Sequence, residues 1–185
     1  MQSLQNHLLI AMPTMGDPYF SRTVTYICEH NDKGTMGLVL NQPIGMTLKE
    51  LIAQTDEDAI VLEEKANVIV LSGGPVSQER GFILHTTQAG WSSSLALTDE
   101  LMVTTSKDIL GSLGNHSGPD KSIVTLGYAG WSAGQLEEEL QTNSWLTIEA
   151  DLALLFDVPI HKKWEAAVQK LGIDIWQLGP DVGHA

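Results

Sequence analysis

Gly130-Trp131-Ser132-Ala133-Gly134 matches Gly-x-Ser-x-Gly letter for letter. In a nucleophile elbow this pattern puts a serine on a sharp turn after a strand, where a histidine takes its proton and an acid orients the histidine. Asp157 with His161 or His184 would complete the order serine, acid, histidine. The pattern is short, however, and Gly127-Tyr128-Ala129 separates it from the apolar run Ile123 to Leu126, whereas an elbow serine directly follows its strand. A capping reading explains more of the letters. Ser132 and Gln135 form a Ser-x-x-Gln capping box, with Trp131 and Leu136 as the hydrophobic staple around it. Glu137 and Glu138 then sit near the positive end of the helix dipole. Ser132 is therefore expected to cap a helix over 132–141, with no histidine in reach, and a serine hydrolase is kept as the alternative. The glycine spacing matches neither phosphate-loop pattern, and no lysine follows. A third reading makes the Trp131 turn, taken as exposed, and the acidic helix a surface for a partner.

A second group of residues has the types needed to hold a ligand. Gly73-Gly74 would let another backbone or a ligand approach closely. Arg80, one of only two arginines, could clamp a carboxylate or phosphate, and His85 follows on the next strand. The competing reading is a tight turn with a structural arginine ion pair. Asn41, after the third strand, could add its amide to the same cleft or simply end the strand. The candidate binding residues are thus Asn41, Gly73, Gly74, Arg80, His85 and Trp131, with no catalytic set. Metal has weaker support. Cys28 and His30 share a strand face, but no His-x-x-x-His occurs and further ligands would have to come from afar. Cys28 reads better as a small buried apolar residue.

Charge narrows the partners. Ten Lys and Arg stand against 23 Asp and Glu, a net of −13. Nucleic-acid affinity rests on basic groups that displace counterions, so direct DNA or RNA binding is disfavoured. The small cluster Lys162, Lys163 and Lys170 reads as the solvated face of a helix. No apolar run reaches the roughly 20 residues of a membrane helix, and the start, Met1 to Gln5, lacks the basic residues of a secretory leader. A cytoplasmic location is expected. The single cysteine rules out an internal disulfide.

The elements that would position these residues come in hairpin-like groups. Strands are expected over 7–13, 22–30, 36–40, 68–71, 81–85, around 95–97 and 101–103, over 122–128 and over 145–149. Thr47 and Glu50 form a capping box, stapled by Met46 and Leu51, for a helix to about Gln54. Thr105 and Asp108 open another helix. Residues 150–156 suit one or two helical turns, and Pro159 starts a last helix that Gly172 stops. Strands grouped before helices argue for α+β with a mixed or largely antiparallel sheet.

Together the letters resemble the YqgE/AlgH family of bacterial proteins. Four stretches carry the resemblance. They are Leu9-Ile-Ala-Met-Pro with Asp17-Pro18 and Phe20, then Cys28-Glu29-His30 with Met36-Gly37-Leu38-Val39 and Asn41-Gln42-Pro43. The others are Gly73-Gly74-Pro75-Val76 with Arg80-Gly81-Phe82 and Leu84-His85, and Leu126 to Trp131 with Ala133 to Glu137. Asn143, Trp145, Leu146 and Leu171 to Asp174 extend it over nearly the whole chain. The resemblance implies one α+β domain over 1–185, with a bifurcated sheet curled toward a barrel and helices around it. It implies no established catalytic activity and no cofactor; members are often labelled transcriptional regulators. Given the charge, regulation is expected to act through an unidentified protein partner, with no membrane. The family pattern has glycine where this chain has Ser132, which weakens the elbow reading further.

Overall fold

The computed structural model describes residues 2–174 and Gln177. In chain order the strands are β1 His7–Ala11, β2 Val24–Asn31, β3 Gly34–Val39, β4 Pro43–Thr47, β5 Ile69–Ser72, β6 Val76–Thr86, β7 Ser94–Ala96, β8 Leu101–Thr104, β9 Ser122–Ser132 and β10 Trp145–Glu149. The α-helices are α1 Leu48–Thr55, α2 Glu63–Ala66, α3 Asp108–Leu113, α4 Gln135–Gln141 and α5 Lys163–Lys170. The fold is α+β with a mixed, largely antiparallel sheet. The β5–β9 pair is parallel, while the other strand pairs among the described residues run antiparallel. Two compact units divide the chain: Met1–Asn41 with Ala129–Ala185, and Gln42–Tyr128. The strand β9 runs through both.

In the first unit the strand order is β10-β1-β2-β3 and then the C-terminal part of β9, where Gly34 to Gly37 pair with Ser132 to Ala129. The continuous apolar run of β1 is buried from Leu8 to Ala11, as expected of a strand covered on both faces. Leu9, Ile27, Val39, Trp131, Leu136 and Trp145 form its core. The helix α4 joins that core through fully buried Leu136, with Leu140 packed against it.

Helix α4 begins later than its capping signature suggested. Strand β9 keeps its pairing through Ser132, and the turn is made by Gly134 at φ 79, a left-handed conformation glycine adopts freely. Ser132 is therefore a strand residue and not the N-cap. Part of the box survives in another form: the Gln135 Oε1 accepts from the Ser132 backbone N–H at 3.1 Å and from its hydroxyl at 3.2 Å.

The last helix also departs from expectation. A π-helical turn occupies Ala153–Asp157, and a 3₁₀ turn, Ile160–Lys162, precedes α5. Gly172 at φ 73 follows the C-terminus, as its stop signal required. Lys163 is not on a solvated face. It points inward with Trp164, Ala167 and Val168, only 3% exposed, and its Nζ donates to the Leu155 carbonyl at 2.6 Å. Burial pushes its ammonium down to about 8. Lys162 and Lys170 remain exposed, and Lys170 pairs with Asp151.

In the second unit the N-terminal part of β9 is flanked by β6, which continues through β8 to β7, and by β5, which continues to β4. Two elements here went unread in the sequence. The strand β4 hides behind Pro43 and Gly45, and α2 lies in an acidic stretch without apolar period. The α1 capping box is formed as expected, with Thr47 and Glu50 each accepting from the other's backbone N–H. Leu48, Leu51, Ile52, Ile109, Leu113 and Val124 are among the core residues beneath α1 and α3.

Candidate functional site

The glycines of the Gly73-Gly74 turn serve a backbone crossing. A Cβ at Gly73 would lie 2.3 Å from the Gly127 carbonyl oxygen, and one at Gly127 would lie 2.4 Å from that of Gly74. The two segments of the second unit thus meet at a distance only glycine permits, and Gly73 and Gly74 are buried in that contact. Their space is filled by protein.

His85 is also committed to structure. It is fully buried on β6, with Nε2 2.7 Å from the Thr104 hydroxyl and Nδ1 2.8 Å from the Thr86 carbonyl. The carbonyl can only accept, so Nδ1 carries the proton and Nε2 accepts from the hydroxyl. Burial lowers the imidazole pKa below its usual 6.5. The folded state therefore binds the proton less readily than the unfolded chain. This contribution is fully present above about pH 6.5 and is lost as pH falls toward the folded value. Unfolding free energy, measured by urea titration from pH 7.5 to 5.5, is expected to fall, and His85→Gln is expected to flatten that slope while lowering stability at pH 7.5.

Asn41, in the first unit, holds neighbouring backbone. Its Oδ1 accepts from the Val24 N–H at 3.0 Å and its Nδ2 donates to the Arg22 carbonyl at 2.9 Å. The amide thus replaces a missing strand partner at the start of β2. Trp131 is in the first unit too, and it is buried at 6% exposure rather than presented on a turn. The reason is Glu139, one helical turn along α4. A single oxygen, Oε2, accepts from the indole N–H of Trp131 and from that of Trp145, each at 2.8 Å, while Oε1 accepts from Gln135 at 3.1 Å. Phe20 completes the cluster at 5.6 Å from the Trp145 ring. The sequence showed Glu139 only as one acid among several; the usable signal was that two buried indoles need an acceptor.

His30 and Cys28 are likewise occupied. His30 Nδ1 accepts from the Leu4 N–H at 2.8 Å, which puts the ring proton on Nε2, 2.6 Å from Glu137 Oε1. Glu137's carboxyl is held below its usual range by that bond. Cys28 is buried and its thiol is pushed up to about 12 by desolvation. The Ser132 hydroxyl donates to Gln135, as described above. His161 is exposed, and His184 lies outside the described residues.

Of the six candidates, Arg80 is exposed on β6 at the edge of a cleft, and Trp131 lines a smaller concavity of about 210 Å³ in the first unit. A cleft of about 440 Å³ in the second unit is built from α1, β6, β9 and the start of α3. Its apolar lining comes from Leu51, Ile83, Leu110, Val124 and Leu126. Arg80 lies over the Phe82 ring, 5.4 Å from its centroid, and makes no ion pair among the described residues. Among the described residues the structural ion pair weighed for this arginine is not formed, and its guanidinium stacks on a ring. Lys107, Gln54 and Glu79 line the same cleft. Sequence reading missed Lys107 because it follows a helix-opening Thr105-Ser106 and has no partner nearby in the chain.

Comparison with known proteins agrees with the fold just described. The DUF179 family model, AlgH-like, matches residues 8–176. UPF0301 proteins of Pseudoalteromonas translucida and Colwellia psychrerythraea are 55% and 51% identical, each covering 100% of both chains. The solution structure of the AlgH protein from Pseudomonas aeruginosa has a TM-score of 0.80 at 46% identity, covering 100% of both chains. A Corynebacterium diphtheriae protein of known crystal structure shares the fold, with a TM-score of 0.74 at 18% identity over 96% of this chain and 92% of that one. Among the described residues no helix is long and apolar enough to cross a membrane. On sequence and structure alike, this chain belongs to the AlgH-like family.

Proposed function

We propose that this chain is a non-enzymatic regulatory module of the cytoplasm that acts by binding a protein partner, and not by contacting DNA, with Arg80 as a central contact. The observation that carries the reading is the state of Arg80. Its guanidinium is exposed, unpaired with any carboxylate among the described residues, and set on a strand beside a cleft with an apolar lining. Functional side chains are best held on such regular elements, and arginine is enriched where interfaces concentrate their binding energy. The net charge of −13 supports a partner other than nucleic acid. The Ser132 hydroxyl, bonded to Gln135, supports binding over hydrolysis. A fluorophosphonate probe is accordingly expected to leave the protein unlabelled.

The test is affinity capture from the native cell with wild type and Arg80→Ala side by side. Removing the guanidinium sacrifices one ring contact, worth about 0.5–1 kcal/mol at an exposed site. The melting temperature is therefore expected to drop by only a few degrees. A specific partner should be lost from the Arg80→Ala sample at equal protein load. Identical partner sets from two folded proteins would refute the assignment of Arg80.

A further inference from the structure

The concavity of about 210 Å³ in the first unit carries charge of one sign. Asp17 and Glu139 line it, and no lysine, arginine or histidine is among its described lining residues. Both carboxylates are fixed in place by neutral donors. Glu139 Oε2 takes the indole N–H groups of Trp131 and Trp145, and its Oε1 takes the Gln135 amide. Asp17 Oδ1 accepts from the backbone N–H groups of Tyr19 and Phe20, at 2.8 and 3.4 Å. None of these donors carries charge, and neither acid has an ion-pair partner among the described residues. The pocket therefore keeps two negative charges, a half-buried one on Glu139 and an exposed one on Asp17. Met15 and Phe20, both half-buried, add apolar surface to the same lining.

We infer that this pocket binds a primary alkylammonium, the group that ends a lysine side chain or a small free amine. The ammonium meets Glu139, Asp17 adds the second negative charge, and the methylene stem lies against Met15 and Phe20. Other cations fit less well. A metal ion needs more ligands, and no group of three or more His, Cys, Asp or Glu side chains placed to hold one occurs among the described residues. A guanidinium prefers the free edge of a carboxylate for two parallel bonds, and both Glu139 oxygens already accept N–H groups. An ammonium is a point charge with rotatable donors and needs only one open lone pair. A quaternary ammonium needs open ring faces. Trp131 and Trp145 are buried and pack edge-to-face on each other, 6.0 Å between centroids, so little of either face is open. The net charge of −13 on the whole chain reinforces the local preference for a cation. The site lies in the other unit from Arg80 and stands independently of the partner reading.

The probes are n-pentylamine, which is a cation at neutral pH, and the acetylated, amidated lysine residue. Each is titrated into the nitrogen-labelled full chain, and NMR follows the indole N–H signals of Trp131 and Trp145. Both signals should shift saturably with n-pentylamine, and neither with pentanol or pentanoate at the same concentrations. Asp17→Asn keeps the oxygen that accepts from Tyr19 and Phe20, and should weaken amine binding about threefold, as for an exposed charge pair. Glu139→Gln keeps an acceptor for the indoles and should weaken it about tenfold or more. Melting curves establish that both variants are folded, and Asp17→Asn, at an exposed position, carries the test if Glu139→Gln is not. Binding of the lysine derivative at least as tight as that of pentylamine supports a lysine side chain of another protein as the occupant. Exclusion of the derivative with pentylamine still bound supports a small free amine. Absence of saturable shifts with both amines would overturn the inference. So would an equal response to pentanol, which would make the pocket a merely apolar one, or amine affinities that ignore the substitutions.

Discussion

Gly127→Ala is expected to lower the free energy of unfolding by about 4 kcal/mol or more, a size reserved for backbone strain or severe packing faults. Two costs combine. At φ 78 an alanine occupies the left-handed region, which costs roughly 1–2 kcal/mol. The new Cβ would also meet the Gly74 carbonyl at 2.4 Å and that of Val76 at 3.0 Å, so backbone must move. Neither contact is the end of a flexible side chain that could turn away. Gly45→Ala separates the terms. Its φ is 75, close to that of Gly127, and nothing lies within 4 Å of its Cβ position, so it should show the strain alone, about 1–2 kcal/mol. Thermal unfolding of the two variants should differ by on the order of 5–10 °C. Equal melting temperatures would show that the crossing of Gly73-Gly74 with Gly127 has slack.

The second large effect is expected at Glu139. Replacement by alanine strips the acceptor from two buried indole N–H groups at once. Leaving a buried donor unmade costs about 1–3 kcal/mol each, and Glu139 itself is half-buried, so water can reach part of the site. A net loss of roughly 3 kcal/mol is expected. Glu139→Gln keeps an oxygen acceptor and should cost about 1 kcal/mol. The change is also visible optically, because both indoles lose a charged hydrogen-bond acceptor. Tryptophan emission should shift in Glu139→Ala and less in Glu139→Gln. An alanine variant as stable as wild type would mean that the ring packing among Phe20, Trp131 and Trp145 holds the cluster alone.

Local signals told most of the fold. The Thr47 box, the apolar run of β1, the Trp145–Glu149 strand and the Gly172 stop each depend on near neighbours in the chain, and each is formed. Signals failed where distant pairing decides. Ser132 carried the letters of a cap, but pairing with Gly34 kept it in the strand and passed the turn to Gly134. Lys163 had the type of a surface residue, yet its place on the inward face of α5 buried it. The site divided in the same way. Arg80 could be singled out because arginine is rare here, whereas its cleft could not be read. Lys107 arrives from another part of the chain, and the glycines and histidine near Arg80 in sequence turn out to serve backbone crossing and core hydrogen bonds.

Arg80 is proposed to bind a partner and not to hold the fold together. Its most direct test is a calorimetric titration of the captured partner against wild type and Arg80→Ala, with the melting temperature of each recorded in the same buffer. Melting temperatures within a few degrees and an affinity weakened about tenfold or more are expected. Unchanged affinity with an intact fold would contradict it.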